Sequence, residues 1–329
     1  MSIKMKLSAH IEEWQLEKPF RIAGSEWLTS RSVVVTLSSD GVVGNGEGQG
    51  VFYLNESAES MIEQVFAVAS QIESGASREE LLEILPAGGA RNAIDCALWD
   101  LEAKKSGRSI WELTAISPSP VTTVFTIGLE DTPEKMAANA KAASQYPILK
   151  IKLDGDQPIA RLAAIRAARP DARIVIDANQ GWNFDKLNDV LPQCVELGIE
   201  MVEQPLPRGA DSELEDFDSP VTLAADESCL DTSELDVASS RYSMINIKLD
   251  KTGGLTEALR LAYAAKEKGC KLMVGNMVGT SLSMAPSFVV AQLCDLVDID
   301  GPLLLKNDHP NGLVYKSGVV DVFEQSFWG

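Results

Sequence analysis

Three short runs in the middle of the chain determine its architecture: LKIKL (149–153), RIVIDAN (173–179) and IEMVEQP (199–205). Each run is apolar, rich in β-branched residues and followed by polar or turn-forming residues, which is typical of a buried strand. Segments with helical spacing lie between them, such as QPIARLAAIRAARP (157–170). Strands that alternate with helices in this way predict a parallel sheet in an α/β fold.

The same alternation extends in both directions, with about 25 residues from one strand to the next, as in a barrel of repeated βα units. The further strand-like runs are VTTVFTIG (121–128), TLAADES (222–228), MINIKLD (244–250), KLMVGNM (271–277) and VDIDGP (297–302). Eight strands joined by helical crossovers predict a TIM-type barrel. The segment after the eighth run is short and weakly helical, so we expect a modified barrel of the (β/α)7β type.

Residues 1–120 follow a different pattern. They open with alternating, strand-like runs, and helical segments such as GARNAIDCALWDLEAKKSG (89–107) follow. We therefore expect an N-terminal α+β capping domain over residues 1–120 and the barrel over residues 121–305. A C-terminal segment, 306–329, is expected to return to the capping domain.

Charge and composition exclude several classes of protein. The 329 residues include 29 basic and 48 acidic side chains, for a formal net charge of −19. Such a field repels nucleic-acid phosphates and anionic membranes, so neither is an expected partner. No stretch approaches the roughly 18 apolar residues of a membrane-spanning helix, and the first residues lack the apolar segment of an export signal. A cytoplasmic protein is therefore expected, and a homo-oligomer stays open.

The cysteines and histidines limit the available chemistry. Five cysteines lie far apart without a CxxC pair, which indicates reduced thiols and neither a disulfide framework nor a zinc site. The only two histidines, His10 and His309, do not follow predicted strands. Serine–histidine, cysteine–histidine and histidine-rich metal chemistry are therefore disfavoured. Any acid–base work falls to lysines and carboxylates.

Three acidic residues close consecutive predicted strands: Asp177, Glu203 and Asp226. The active site of such a barrel lies at the C-terminal ends of its strands, so these carboxylates are expected to converge there. Buried carboxylates repel one another unless a cation neutralises them, and Mg²⁺ is the usual ion for an oxygen-only set. We expect one Mg²⁺ per active site. The alternative is that nearby lysines pair with these acids.

Lysines close the second and sixth predicted strands. Lys150 and Lys152 share one face because side chains in a strand repeat every two residues, and Lys248 ends the sixth strand. Lys152 and Lys248 would thus face each other across the barrel mouth, which suits a proton transfer to and from opposite faces of one carbon. A lysine pKa of about 10.4 is too high for a base at neutral pH. We expect Lys150 and burial to lower the pKa of Lys152.

Taken together, these motifs resemble a known family. The segments that carry the resemblance are KIKLD, IDANQGW, VEQPLP, ADES, INIKLDKTGGLTEA and, in the first domain, PAGGARNAIDCALWDLEAKKSG. They are similar to the muconate-lactonizing subgroup of the enolase superfamily, and within it to dipeptide epimerases of the L-Ala-D/L-Glu type. The resemblance implies an Mg²⁺-dependent isomerase that inverts the α-carbon of a dipeptide's C-terminal residue. The implied reaction is a two-base 1,1-proton transfer through an ene-diolate.

The resemblance also assigns roles to residues of this chain. The matching residues are Asp177, Glu203 and Asp226 for the metal, Lys152 and Lys248 for acid–base catalysis, Lys150 as the supporting lysine, and Asp298 and Asp300 for the substrate ammonium group. A paired anionic site of this kind selects a free amino terminus. Asn179 and Glu227, which stand beside two of the metal-ligand positions, are also expected to support the site.

One segment departs from the family's pattern. In Ala-Glu epimerases a mobile loop of the first domain usually carries an arginine shortly after a Gly-Ser step, where it receives the glutamyl carboxylate. Here the segment is PFRIAGSEWLTSR (19–31), with Glu26 near that place. Arg21 or Arg31 could substitute, or neutral and cationic side chains could be preferred. We include Glu26 and Arg21 among the expected substrate-binding residues, with the alternative that Glu26 is a solvated loop acid.

Two other functions are weighed against this one. The first is another reaction of the same subgroup, namely N-acylamino acid racemisation, cycloisomerisation or o-succinylbenzoate synthesis. Asp298 and Asp300 argue against it, because an acylated nitrogen offers them no charge to bind. The second is a catalytically silent barrel that only binds metal and ligand, against which the intact pair of Lys152 and Lys248 argues.

Overall fold

The first unit of the chain is a three-stranded antiparallel sheet in the order β1–β2–β3, covered by helices. The computed structural model describes residues 5–22 and 24–329. The strands are β1 (Lys6–Ile22), β2 (Ser25–Ser39) and β3 (Val42–Gln49). The helices are α1 (Ala58–Ala67), α2 (Ala69–Glu73), α3 (Arg78–Ile84), α4 (Gly89–Ser106) and α5 (Ile110–Thr114).

Glycines on β3 allow α4 to pack directly on the sheet. A Cβ atom on Gly46 would lie 2.2 Å from the Ala93 carbonyl oxygen, and one on Gly48 would lie 2.1 Å from the Gly89 carbonyl oxygen. Any larger residue on this face would push the helix away. The glycines of the run GVVGNGEGQG (41–50) therefore allow the close contact between this helix and the sheet.

The second unit is an eight-stranded parallel sheet that curls into a barrel. Its strands, in order around the sheet, are β5 (Phe125–Ile127), β6 (Ile148–Lys152), β7 (Arg173–Asp177), β8 (Ile199–Glu203), β9 (Thr222–Ala225), β10 (Met244–Ile247), β11 (Lys271–Val274) and β12 (Leu296–Val297). The backbone N–H of Val124 donates to the Val297 carbonyl oxygen at 2.9 Å and joins the first strand to the last. The expected modified TIM barrel with an α+β cap is confirmed.

Each barrel strand contributes one apolar side chain to a common floor. The floor consists of Val124, Ile148, Val175, Met201, Ala224, Met244, Met273 and Leu296, all buried. Side chains therefore fill the interior of the barrel at this level, as they do in closed barrels of eight strands. The floor closes the barrel below the polar residues that follow two positions later on several strands.

Helices connect most of the barrel strands. They are α6 (Pro133–Ala142), α7 (Pro158–Ala168), α8 (Phe184–Glu196), α9 (Leu235–Arg241), α10 (Leu249–Thr252), α11 (Leu255–Glu267) and α12 (Ser281–Ala291). Thr132, Asn183 and Thr280 cap three of them by accepting backbone N–H groups.

The connection between β8 and β9 differs from the expected repeat, because its one regular turn is the 3₁₀ turn Ser212–Leu214. Three prolines and a glycine in residues 205–220 keep a longer helix from forming there. In residues 298–329, which the structure describes in full, the one helix is the short α13 (Gly301–Leu304). The weak helical character after the eighth strand is thus confirmed.

The end of the chain contacts the first unit. A small sheet joins β13 (Tyr315–Lys316), β14 (Val319–Val320) and β4 (Val121–Thr122). Beyond it, the Trp328 indole donates to the Asn45 carbonyl oxygen at 3.1 Å, and the Gly329 N–H donates to Asp100 at 2.8 Å. The division of the chain at residues 120 and 305 stays a proposal.

A polar seam fixes helix α4 to the loop that follows β10. The Arg91 guanidinium donates to the carbonyl oxygens of Thr252 at 2.7 Å and Gly253 at 3.1 Å. Asp95 accepts from the backbone N–H of Thr256 at 3.0 Å and from its hydroxyl at 2.6 Å. These groups are buried, so each bond satisfies a donor or acceptor that water cannot reach.

The seam continues into the barrel mouth through Asp250. One of its carboxylate oxygens accepts from the Gln49 N–H at 2.9 Å and from the Asn92 amide at 2.7 Å. Burial raises the pKa of Asp250 to about 7.

Among residues 5–22 and 24–329, no helix is long and apolar enough to cross a bilayer.

Candidate active site

The inward-facing side chains change from apolar to charged at the C-terminal ends of the strands. On β7, Val175 belongs to the floor and Asp177 follows it on the same face; on β8, Met201 and Glu203 do the same. The two-residue repeat of a strand produces this alignment. Acids and lysines from several strands therefore meet above one apolar layer.

Lys150 stands at the centre of this group. Its Nζ lies 2.7 Å from Glu203 Oε2, 2.7 Å from Asp298 Oδ2 and 3.2 Å from Asp177 Oδ2. Burial acts to lower the pKa of Lys150, but the three carboxylates outweigh burial and hold the pKa well above its ordinary value. This lysine is therefore a fixed positive charge.

Lys152 and Lys248 line the same cleft. Their strands, β6 and β10, are the second and sixth of the closed sheet and so lie on opposite sides of it. Lys152 Nζ is 2.6 Å from Asp177 Oδ2, and Lys248 Nζ is 2.5 Å from Asp226 Oδ2. The structure thus gives each of these lysines a carboxylate partner within the barrel mouth.

The carboxylate partners bear on the expected lysine pKa values. Burial lowers the pKa of Lys248, but Asp226 and Glu203 outweigh burial and raise it above the ordinary value. Lys150 and Lys152 contact the same oxygen of Asp177, so a carboxylate lies between the two ammonium groups. The expectation that Lys150 and burial lower the pKa of Lys152 did not take this acid into account, and it stays a prediction.

The three acids expected to bind metal are buried at the barrel mouth. Burial raises the pKa of Glu203 to about 7, and the negative charges of Asp177 and Asp226 add to the effect. Burial also acts to raise the pKa of Asp177, but Lys152 and Lys150 outweigh it and lower the pKa to about 2. Lysines thus pair with these acids, which is the alternative raised above.

The acids do not converge on one point as expected. Within the described part of the chain, no three acidic, histidine or cysteine side chains stand close enough to hold a metal ion. Each acid is turned toward a lysine because a buried carboxylate needs a neighbouring positive charge. Three buried carboxylates on adjacent strands still provide the hard oxygen donors that Mg²⁺ prefers. The donor set of Asp177, Glu203 and Asp226 therefore fits this ion.

Asn179 and Glu227 lie beside these acids and line the cleft. The Asn179 N–H donates to Asp177 Oδ1 at 2.9 Å, and its φ of 43° places it in the left-handed region that asparagine tolerates. Burial, with the charges of Asp226 and Asp177, raises the pKa of Glu227 to about 8. Glu227 Oε2 and Asn179 Oδ1 have no hydrogen-bond partner within residues 5–22 and 24–329.

Asp298 and Asp300 are buried beside the closure of the barrel and do not line the open cleft. Asp298 contacts Lys150 and accepts from the Asn276 amide at 3.1 Å. Asp300 accepts from the Thr126 N–H at 2.7 Å. Burial raises the pKa of Asp300 to about 7, and the charge of Asp298 adds to the effect.

Gly275 makes room for Lys248. A Cβ atom at this position would lie 2.6 Å from Asn246 Oδ1 and 3.0 Å from Lys248 Cε. The end of β11 must therefore carry a glycine if the lysine is to lie across it. In the sequence, the one signal of this residue's role is its place directly after a buried strand, where a glycine indicates a close approach.

Residues of the first unit form the opposite wall of the cleft. Aromatic rings follow one another along it, with centroids 6.4 Å apart for Phe20 and Trp27, 5.2 Å for Trp27 and Phe52, and 5.2 Å for Phe52 and Tyr53. Gln49 also lines the cleft. These residues fall in segments 20–30 and 49–57, where the hairpin β1–β2 and the turn after β3 fold over the barrel.

Glu26 and Arg21 do not line this cleft. They are paired across β1 and β2, with Arg21 Nε 3.2 Å from Glu26 Oε2, and Arg21 also contacts Asp131 at 2.8 Å. Glu26 alternates with Trp27 along β2 and is exposed, which matches the alternative of a solvated acid. Arg31 does line the cleft and contacts Glu59 at 2.7 Å.

Two family models match the chain. "Mandelate racemase / muconate lactonizing enzyme, N-terminal domain" matches residues 4–114, and "Enolase C-terminal domain-like" matches residues 134–325. The L-Ala-D/L-Glu epimerase of Escherichia coli K12 is 42% identical over 310 residues, which cover 93% of this chain and 96% of the relative.

Two further proteins are similar to the chain. An N-acetyl-D-glutamate racemase of Pseudoalteromonas is 43% identical over 251 residues, 76% of this chain and 79% of the relative. A crystal structure of an enolase family member from Agrobacterium tumefaciens, with homology to dipeptide epimerases and with bound sodium and L-Ala-L-Glu, superposes with a TM-score of 0.96. It is 42% identical and covers 99% of this chain and 100% of that one.

The fit of the three acids to a divalent cation can be measured directly. Asp226→Asn should weaken the binding of Mn²⁺, a paramagnetic substitute for Mg²⁺, by at least about tenfold, because a donor charge is lost and nearby lysines are left to repel the ion. Titration followed by electron paramagnetic resonance gives the Kd. The exposed Asp189→Asn on α8 is the matched control. Equal affinity in Asp226→Asn and wild type would refute the assignment.

Proposed function

Because the chain belongs to the mandelate racemase/muconate lactonizing enzyme family of the enolase superfamily, we propose that it is an Mg²⁺-dependent dipeptide epimerase. It is an isomerase that acts on amino acid derivatives, and its partner is a small-molecule substrate of the L-Ala-D/L-Glu type. One observation carries the proposal: Lys152 and Lys248 lie on opposite strands of the closed barrel and line one cleft.

The proposed reaction moves a proton between the two faces of one carbon. One lysine, as the neutral amine, accepts the α-proton of the dipeptide's C-terminal residue at its Nζ. The other lysine, as the ammonium, returns a proton from its Nζ to the opposite face. The reverse reaction exchanges the two roles, so both epimers are substrates.

The remaining residues would stabilise the ene-diolate that forms between the two proton transfers. Asp177, Glu203 and Asp226 would hold Mg²⁺, which when bound supplies positive charge to offset the negative charge that develops as the α-proton leaves. Lys150 adds a second fixed positive charge at the barrel mouth. The aromatic wall of the cap excludes water, and electrostatic effects are stronger in such a site.

The two-base arrangement predicts a particular behaviour of single lysine variants. Lys152→Ala and Lys248→Ala should each reduce net epimerisation of L-Ala-L-Glu by at least about a thousandfold, because each removes one proton donor or acceptor. Each variant should still exchange the α-proton of one epimer with D₂O, since one base remains. Mass spectrometry of L-Ala-L-Glu and L-Ala-D-Glu in D₂O measures both. Near wild-type epimerisation in either variant would rule out two bases.

Arg31 is the residue of the cleft that suits a glutamyl side chain. Its partners, Glu59 at 2.7 Å and Glu13 at 3.6 Å, form half-exposed ion pairs. Such exposed pairs contribute little to stability, so a substrate carboxylate can replace them readily. Glu26 is paired with Arg21 outside the cleft, so the altered preference for neutral or cationic side chains loses its support.

This assignment of Arg31 predicts a selective effect. Arg31→Met should lower kcat/KM for L-Ala-L-Glu by about tenfold or more and leave kcat/KM for L-Ala-L-Leu within about threefold, because only the former presents a carboxylate. Arg21→Met is the matched control and should change neither value. An equal loss for both dipeptides in Arg31→Met would show that the arginine supports the fold of the cap instead.

A second candidate function is racemisation of an N-acylated glutamate. The Pseudoalteromonas relative carries such a name. The buried position of Asp298, bonded to Lys150 and away from the cleft, also favours it. In the dipeptide epimerase, Asp298 and Asp300 would instead bind the free ammonium group, and the proximity of their two carboxylates supports this role.

The two candidates differ in their response to a blocked amine. For a dipeptide epimerase, kcat/KM for N-acetyl-L-Ala-L-Glu and for N-acetyl-L-Glu should fall at least about tenfold below that for L-Ala-L-Glu, since each charge-assisted hydrogen bond contributes about 1.5–3 kcal/mol. The three compounds are compared by polarimetry or chiral chromatography. A higher value for N-acetyl-L-Glu than for L-Ala-L-Glu would select the second candidate.

We also propose that the enzyme works in the cytoplasm. Its five cysteines are free thiols, and three of them are buried in the core. Burial raises the pKa of Cys194 and Cys229 to about 12, which keeps these thiols protonated. A reducing compartment suits such a set.

A further inference from the structure

A second lysine of the loop after β10 has no part in the proton transfer. Lys251 lies on α10, three positions after Lys248, and its side chain is fully buried. It does not line the cleft. In the sequence it stands between a buried strand and a Gly-Gly pair, which is an unusual position for a charged residue.

The Lys251 ammonium bridges two barrel strands from behind the cleft. Its Nζ donates to the carbonyl oxygens of Asp226 at 2.5 Å, Asn246 at 2.8 Å and Cys229 at 3.0 Å. It also lies 2.8 Å from Asp226 Oδ1. Three backbone acceptors and one carboxylate hold it in place, so three of its four contacts are to the main chain.

The two oxygens of Asp226 are divided between two lysines. Oδ2 contacts Lys248 and Oδ1 contacts Lys251. Lys248 lines the cleft, whereas Lys251 does not and is anchored by three backbone carbonyl oxygens as well. The contact of Lys251 with Oδ1 therefore does not depend on Lys248.

We propose that Lys251 is a positioning residue that holds Asp226 in its cleft-facing orientation. This inference rests on the proposed function for the assignment of Asp226 to the metal. Lys251 sets the orientation of this metal ligand and the backbone turn at residues 226–229. Lys251 also contacts the carbonyl of Asn246, whose side-chain amide donates to Glu203 at 2.7 Å. One ammonium group therefore helps to position both Asp226 and Glu203.

The direction of the effect separates orientation from charge. Loss of a positive charge beside a cation site would by itself strengthen cation binding, because like charges repel. Loss of the group that orients Asp226 would weaken it. Lys251→Met removes the charge at nearly constant volume, and Lys251→Gln removes the charge but retains a donor for the backbone oxygens.

The experiment compares Mn²⁺ affinity, kcat, KM and Tm in wild type, Lys251→Met, Lys251→Gln and the exposed control Lys266→Met. We expect the two Lys251 variants to bind Mn²⁺ about tenfold to a hundredfold more weakly, with kcat reduced more than KM is raised. Lys266→Met should match wild type. If Lys251→Met does not fold, the comparison with wild type uses Lys251→Gln alone. Affinity that is unchanged or tighter in the folded variant would overturn the proposal.

A double variant shows whether Lys251 acts through Asp226. If it does, adding Lys251→Met to Asp226→Asn should change the Mn²⁺ affinity by less than about threefold beyond Asp226→Asn alone. Additive losses would show a purely structural role and overturn the proposal. Wild-type epimerisation of L-Ala-L-Glu is measured first. Its absence would refute the proposed function, whereas the Mn²⁺ titrations test Lys251 by themselves.

Discussion

The mouth of the barrel must neutralise several carboxylates that water cannot reach. Four acids and four lysines in contact with one another share this space with the buried Glu227 and Asp300, and their contacts run between strands: Asp177, Glu203, Asp226 and Asp298, with Lys150, Lys152, Lys248 and Lys251. Charges buried without partners would cost far more than the fold can supply. The apolar floor, the inward alternation on each strand and the cap above all serve to keep these opposite charges close together and dry.

This balance explains why acids and bases of the proposed reaction occur as pairs. Each lysine that would move a proton touches an acid that would hold the metal, at 2.6 Å for Lys152 and Asp177 and at 2.5 Å for Lys248 and Asp226. Two further lysines, Lys150 and Lys251, contact carboxylates but do not line the cleft. The site thus separates the lysines that line the cleft from the lysines that hold the acids in place.

The sequence predicted the barrel well because its strands repeat at a regular interval and end in charged residues on one face. It could not predict that Asp177 would be shared by two lysines, since a shared oxygen depends on side-chain packing between strands. The pairing of Arg21 with Glu26 depends on the register of a hairpin, which one chain segment does not reveal. The prolines around the 3₁₀ turn at Ser212–Leu214 indicate an irregular connection, which the 25-residue interval between strands does not.

The seam between α4 and the loop after β10 has an evolutionary consequence. Arg91 satisfies backbone carbonyls of the very loop that carries Lys248 and Lys251, and Asp95 fixes the start of the next helix. A barrel recombined with a cap from an unrelated lineage would bring those carbonyls into contact with side chains unable to satisfy them. A substitution on either side of this seam therefore requires a matching change on the other side if the buried carbonyls are to keep their donors.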